Sequence, residues 1–333
     1  MDNSSIKKGY DEIEITLRAK SFSDLIGRDE LKRKIRVLID AATSRGDVLE
    51  HILFYGPPGL GKTSFAYAIA SEMKSNIVVT SGPALATKAD LISIFSNINR
   101  GDIVFIDEIH RLSRVLEEFI YPILEDFVMD FTLGKGALAK VIRIDVPKFT
   151  LIGATTQIGL IKGPLRDRFG VVFKVDFMDI KDLTKVVLHV AKRMNLKIDQ
   201  EAALEIAKRS RGTARIAIKY LKRCRDYAQA IFGADRIDLN HVYSTFEDLE
   251  VDELGIDSQM RHYMRILNMN YNNGPVGLSN LSMSMFEDAR TIEELYEPYL
   301  IKLGFVKRTT RGRVLTQKGI DYIQNIFSQK ILS

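Results

Sequence analysis

Gly56-Pro57-Pro58-Gly59-Leu60-Gly61-Lys62-Thr63 is the stretch whose reading decides the fold. It fits the pattern G-x-x-x-x-G-K-[ST] and lies between an apolar run ending at Tyr55 and a helix-periodic stretch carrying Phe65, Ile69 and Met73. Glycines let backbone N–H groups converge on phosphate, and the helix that follows points its positive end at the same place. In that geometry Gly59 and Gly61 shape the loop, Lys62 reaches the outer phosphates, and the Thr63 hydroxyl takes Mg²⁺. The bound molecule that fits is ATP.

Outward from this loop, short apolar runs alternate with helical stretches. His51 to Tyr55, Ile77 to Thr80, Ile103 to Ile106, Phe149 to Gly153 and Val171 to Val175 read as strands buried on both faces, the mark of a parallel sheet wrapped by helices. The third of them runs into Asp107-Glu108. Carboxylates at the C-terminal end of a buried strand lie where open α/β sheets bind ligands. With the phosphate loop present, Asp107 orients a hydrated magnesium ion and Glu108 polarises the attacking water; alone, the pair would read as a strand-end charge or helix cap. Thr155-Thr156 ends another apolar strand. Arg166 and Arg168 read either as surface charge or as an arginine finger, because a guanidinium stabilises the charge of phosphoryl transfer. Arg215 reads equally as surface charge or phosphate sensor.

At 333 residues the chain calls for two or three domains. The expected parts are a large α/β domain over 1–178, a small all-helical domain over 179–250, and a last domain over 251–333. Polar residues from Met1 to Lys20 suggest an arm, and the acidic, glycine-containing Val251 to Ile256 a linker. Beyond it come helices near Ser258 to Asn268 and Leu278 to Met285, then one opened by Thr291 with Glu294 as a capping box, and a hairpin of Phe305-Val306 and Val314-Leu315. That is winged-helix order. The single cysteine, Cys224, rules out an internal disulfide. No apolar run approaches the roughly 20 residues of a membrane helix, so a cytoplasmic protein without a membrane partner is expected. The net charge of +5 is concentrated in Tyr299 to Ser333, where seven basic residues face Asp321 alone. The basic turn Lys307 to Arg313 suits backbone contacts to a nucleic acid.

Together these segments resemble the RuvB family of AAA+ motors. The likeness is carried by the phosphate loop, Phe105-Ile-Asp-Glu-Ile-His-Arg-Leu112, Leu151 to Thr156, Pro164 to Gly170, Arg211-Gly-Thr-Ala-Arg215, Gly274-Pro-Val-Gly277 and Glu297-Pro-Tyr-Leu300 through Arg313. The resemblance implies an AAA+ P-loop domain, a helical lid and a C-terminal winged helix, assembled as a homo-hexamer that drives branch migration of four-way junctions on duplex DNA arms. It further implies that Leu17, Arg18, Gly59, Lys62, Thr63 and Ser64 line the nucleotide pocket and that Glu125, Asp126 and Phe127 lie near it. Thr156 would be sensor one, Arg168 the finger reaching a neighbour's site, and Arg215 sensor two. Arg308 and Arg313, with Arg311 beside them, would contact DNA. Phe131 to Ile144, turning at Gly134-Lys135-Gly136, would dock a RuvA-type partner, and a junction resolvase would be a further partner. Met178, Ala19, Ala214, Gln157 and Ala289 depart from the family's usual residues. Asp107-Glu108-Ile109-His110 also mimics a DExH box. Two other readings are a clamp-loader or initiator ATPase and a nucleotide-switched DNA-binding regulator.

Overall fold

The computed structural model describes residues 21–133 and 140–331; the expected N-terminal arm, Leu17, Arg18, Ala19 and the turn at Gly134-Lys135-Gly136 lie outside them. The chain forms two compact units that part between Met178 and Asp179. The first holds β1 (Ile52–Tyr55), β2 (Ile77–Ser81), β3 (Ile103–Asp107), β4 (Val128–Leu133), β5 (Lys140–Asp145), β6 (Thr150–Thr155) and β7 (Val171–Lys174). Five of them make one sheet in the order β2-β3-β6-β1-β7, and every pairing in it is parallel.

Alternation along the strands builds two cores. Ile103 and Phe105 face one side with Ile52 and Phe54, packed under the helices Asp29–Arg45 and Lys62–Met73. Val104 and Ile106 face the other with Leu53 and Leu151, under the helices Lys88–Phe95 and Arg114–Glu125. Burial on both faces holds for β1, β3 and β6 alone. β2 and β7 are the sheet's edges and are only half covered, which corrects the expectation for them. β4 and β5 pair antiparallel as a separate ribbon.

In the second unit, helices Ile180–Arg193, Gln200–Arg209, Ala214–Ala230 and Leu239–Asp248 pack together. Asp179, Thr213 and Asp238 accept N-terminal N–H groups of the first, third and fourth, the placement that favours short polar side chains. This part is not all-helical: β8 (Lys197–Ile198) and β9 (Arg236–Ile237) form a short parallel pair. Cys224 is buried on the third helix, and burial pushes its thiol up to about 12.

The last part has helices Ser258–Met269 and Leu278–Met285, then Ala289–Thr291 running through a π turn, Ile292–Tyr296, into Glu297–Lys302. Thr291 is inside the helical run, and Asp288 is its cap, accepting from Arg290 N at 2.8 Å, so the expected capping box is absent. The π turn ends two residues before Pro298, which has no N–H to donate to the Glu294 carbonyl. β10 (Val306–Thr309) and β11 (Gly312–Leu315) make the hairpin, and a helix not expected from sequence, Gln317–Ile331, follows it. Among the described residues no helix is long and apolar enough to cross a membrane.

His51 ties the first unit's layers together. Its Nδ1 accepts from Leu151 N at 2.9 Å, so the proton sits on Nε2, which donates to Leu124 O at 3.1 Å. Burial pulls this imidazole down to about 4. Between about pH 6.5 and about pH 4 the unfolded chain binds a proton at His51 that the folded chain does not, so this contribution to stability is full above that window and falls as the pH is lowered through it, by about 3 kcal/mol in total. Urea denaturation of the protein and of His51→Gln across the window should show that slope in the first only; equal slopes would reject the assignment.

Candidate functional site

Parallel strands gather the loops that follow them at one edge of the sheet. Gly56 leaves β1 there with φ 148°, its N–H donating to Thr155 O at 3.2 Å. A Cβ on Gly56 would meet Val175 O at 2.2 Å, so no other residue fits the exit. Gly59 and Gly61 are also left-handed, at φ 76° and 88°. No side chain caps the helix that starts at Lys62, so its first-turn N–H groups face the loop. Lys62 is buried, and its Nζ donates to Gly56 O at 2.7 Å and Pro57 O at 3.0 Å, which places the ammonium under the loop. Thr63 and Ser64 follow in the first turn, half-buried.

Asp107 and Glu108 stand at the same edge. Glu108 is left-handed, φ 48° and ψ 44°, a conformation that costs a non-glycine residue about 1 kcal/mol. Asp107 Oδ1 accepts the Glu108 N–H at 2.9 Å, and the Glu108 carbonyl accepts from Arg111 N at 2.9 Å. Gly82, just after β2, presses on that carbonyl, and a Cβ there would meet Glu108 O at 2.4 Å. The turn turns the Glu108 side chain toward β6: its Oε2 accepts from Thr156 Oγ1 at 3.1 Å and lies 3.3 Å from His110 Nδ1. Thr155 Oγ1 is 2.9 Å from the same Nδ1 and accepts the Gln157 N–H at 3.0 Å. Lys62, Thr63, Asp107, Glu108 and Thr156 thus belong to one edge. Sequence reading left His110 and Gly82 without a role; the quoted Asp-Glu-Ile-His run held the signal for His110, whereas nothing local marks Gly82.

Arg168 is at the opposite edge. β7 starts at Val171, level with Ile52 at the far end of β1, and Arg168 lies just before it. Its Nη2 donates to Glu125 Oε2 at 2.7 Å, its Nη1 to Pro164 O at 2.7 Å, and its guanidinium lies 4.4 Å from the Tyr121 ring centroid. Glu125, expected together with Asp126 and Phe127 to lie near the nucleotide pocket, thus stands with Arg168 at this edge of its own chain. The helix Arg114–Glu125 carries the chain back to the His51 end, and Phe127 packs there against His51 and Phe149 at 6.1 and 5.9 Å between ring centroids. Arg166 is exposed in the turn before Arg168.

In the second unit Arg215 is exposed at the start of its helix. Four residues earlier, Arg211 is buried and donates from Nε to Gly255 O at 2.7 Å and from Nη2 to Asp257 Oδ2 at 2.6 Å. The expected linker is a knot: Asp252 Oδ1 accepts from Leu254 N at 3.0 Å and Ile256 N at 2.8 Å, and Tyr322 OH bonds Asp252 Oδ2. Arg209 Nη1 donates to Val251 O at 3.0 Å, and Tyr299 OH to Leu254 O at 2.6 Å.

On the hairpin, Arg308 and Arg313 are paired across the strands. Both guanidiniums are ion-paired. Arg308 Nε donates to Glu297 Oε2 at 2.5 Å, and Arg313 donates from Nε to Glu297 Oε1 at 2.8 Å and from Nη2 to Glu293 Oε1 at 2.7 Å. Lys307 and Arg311 are exposed and have no ion-pair partner among the described residues.

A parallel sheet with a glycine loop, a buried lysine and two carboxylates at one edge, followed by a helical lid and a winged helix, defines a P-loop nucleotide-binding protein of the AAA+ class. Three domain descriptions match in order: "Holliday junction DNA helicase RuvB P-loop domain" over 17–175, "RuvB AAA lid domain" over 178–252 and "RuvB C-terminal winged helix domain" over 253–324. A Fusobacterium nucleatum protein called "Holliday junction branch migration complex subunit RuvB" is 48% identical over 315 residues, 95% of each chain. A protein of the same name from Thermotoga maritima is 46% identical over 315 residues, 95% of this chain and 94% of its own. The solved "Thermotoga maritima RuvB Holliday junction branch migration motor" superposes with a TM-score of 0.84 at 44% identity, over 92% of this chain and 98% of that one. The chain belongs to the RuvB family.

Gly82→Ala tests how the edge is built. The added methyl should push on the Glu108 carbonyl and lower ATP turnover on the order of 10- to 100-fold while leaving the nucleotide dissociation constant nearly unchanged. Equal losses in both would mean that Gly82 supports the loop instead.

Proposed function

We propose that this chain is an ATP-hydrolysing motor that drives branch migration of Holliday junctions in recombination and DNA repair, working in the cytoplasm as a homo-hexameric ring with a RuvA-type partner. Its working parts are residues 1–178 as the ATPase domain, 179–250 as the lid and 251–333 as the DNA-gripping winged helix. The observation that carries the reading is the pair of opposed sheet edges: the loop, Asp107, Glu108 and Thr156 at one, Arg168 at the other. A four-residue strand separates them by about 13 Å before any loop is counted. A guanidinium placed there serves the nucleotide of a neighbouring subunit, and a closed ring gives every site such a neighbour.

Within one site Lys62 binds the outer phosphates and Glu108 takes the proton of the attacking water, held in reach of β6 by Thr156. The Asp107 carboxylate and Thr63 hydroxyl are hard oxygen donors that fit Mg²⁺, which supplies charge neutralisation on the phosphates when bound. Arg168, presented by Glu125 and Tyr121, spreads the transition-state charge across the subunit contact. Arg215 senses the nucleotide from the lid. The joint of Arg211 with Gly255 and Asp257 passes lid motion to the winged helix. The antiparallel β4–β5 ribbon is the docking element for the RuvA-type partner, and a junction resolvase joins the same complex.

Arg168→Ala should bind nucleotide nearly as well as the unaltered chain and lose turnover by on the order of 10³-fold. Mixing it with Lys62→Ala should restore part of the activity, because one variant keeps the loop and the other the finger; no restoration would reject catalysis across a contact. ATP-dependent dissociation of a synthetic four-way junction, with and without a RuvA-type partner, separates this motor from a clamp-loader or initiator ATPase.

A further inference from the structure

Glu297 is a carboxylate with no exposure at all. A buried charge persists only where its hydrogen bonds are filled and its charge is matched. Here Oε1 accepts from Tyr263 OH at 3.2 Å and from Arg313 Nε at 2.8 Å, while Oε2 accepts from Arg308 Nε at 2.5 Å and more weakly from Arg313 Nη2 at 3.4 Å. Burial, and then the neighbouring carboxylate, push the Tyr263 hydroxyl well above its ordinary range, so it remains a donor. One turn earlier Glu293 bonds the Arg313 Nη2, and its carbonyl accepts from Arg308 Nη2 at 3.3 Å. Arg313 Nη1 has no partner among the described residues and is not among the buried polar atoms.

The Arg313 backbone is fixed as well. It exchanges two hydrogen bonds with Val276, Arg313 N to Val276 O at 2.8 Å and Val276 N to Arg313 O at 3.0 Å. Gly274 and Gly312 allow this approach: a Cβ on the first would meet Arg313 O at 2.3 Å, and on the second Val276 O at 2.2 Å.

We propose that Glu297 is the positioning residue of the wing, a buried carboxylate that sets the guanidinium planes of Arg308 and Arg313 so that they meet duplex phosphates as one preset pair. The inference rests on the reading that the wing grips DNA. Fixing two flexible side chains before binding removes an ordering cost that the complex would otherwise carry. Lys307 and Arg311, which have no such anchor, supply attraction without geometry.

The test exploits a sign. On electrostatics alone, removing a negative charge beside the wing should tighten DNA binding. Positioning demands the reverse, because an amide at 297 turns an N–H toward guanidinium N–H groups. Binding of the full chain to labelled duplex, measured by fluorescence anisotropy over a range of salt, should weaken about tenfold for Glu297→Gln, with the salt slope reduced by about one phosphate contact. Glu297→Asp, which keeps the charge but shortens the arm, should fall in between. Unchanged or tighter binding by folded Glu297→Gln overturns the proposal. Should that variant fail to fold, Glu293→Gln replaces it, with a smaller loss expected because chiefly Arg313 loses a partner, and no loss again overturns the proposal. Arg308→Ala with Arg313→Ala separates the two levels. If this pair weakens binding and the glutamate variants do not, the wing reading stands and positioning falls; if neither set weakens it, both fall.

Discussion

Strand direction is the constraint on which the first unit depends. With all five strands parallel, every segment leaving the sheet emerges at one edge, and every segment entering it arrives at the other. The chemistry is divided accordingly. Phosphate loop, carboxylate pair and threonine pair all follow a strand, so they converge without any long-range contact having to select them. Arg168 and Glu125 both belong to segments that have run back, and so they meet each other and are kept from the loop. The two edges of one body thus carry different parts of the chemistry, and the proposed ring reading rests on that division.

The second unit follows a different logic, in which buried polar contacts fix backbone to backbone. Arg209 and Arg211, from the lid, bond Val251 O and Gly255 O in the segment leading to the winged helix; Asp252 bonds Ile256 N within that segment, and Tyr299, from the winged helix, bonds Leu254 O. Gly255 lets the joint close, since a Cβ there would meet Arg209 O at 2.3 Å. Ordered hydrogen bonds of this kind resist bending because each one broken leaves a buried group unpaired. The lid therefore serves as a mount for the winged helix.

Much of this was legible in the sequence, for identifiable reasons. The strands, the phosphate loop and the acidic pair are encoded by residues near one another in the chain, so periodicity and spacing found them. Half-covered β2 and β7 were misread because an apolar run does not reveal whether a neighbouring strand exists on both sides. Val251 to Ile256 has a linker's composition, yet Asp252 spends its carboxylate on backbone N–H groups two and four residues on. The ion pairing of the hairpin arginines was not legible, because their partners, Glu293 and Glu297, lie on a helical run before it. Glu297 stood inside a quoted motif, but nothing in its spacing showed which way it faced. Gly82 was invisible for the same reason: its importance is a carbonyl belonging to residue 108.

Cys224 is the only sulfhydryl of the chain, and it is sealed on a lid helix with its thiol held protonated. Alkylating reagents attack thiolates that they can reach, and Cys224 offers neither charge nor access. A fluorophore or spin label can thus be attached at one introduced cysteine on any exposed position without first removing the native one. The molecule comes ready for single-site spectroscopy of its own movements.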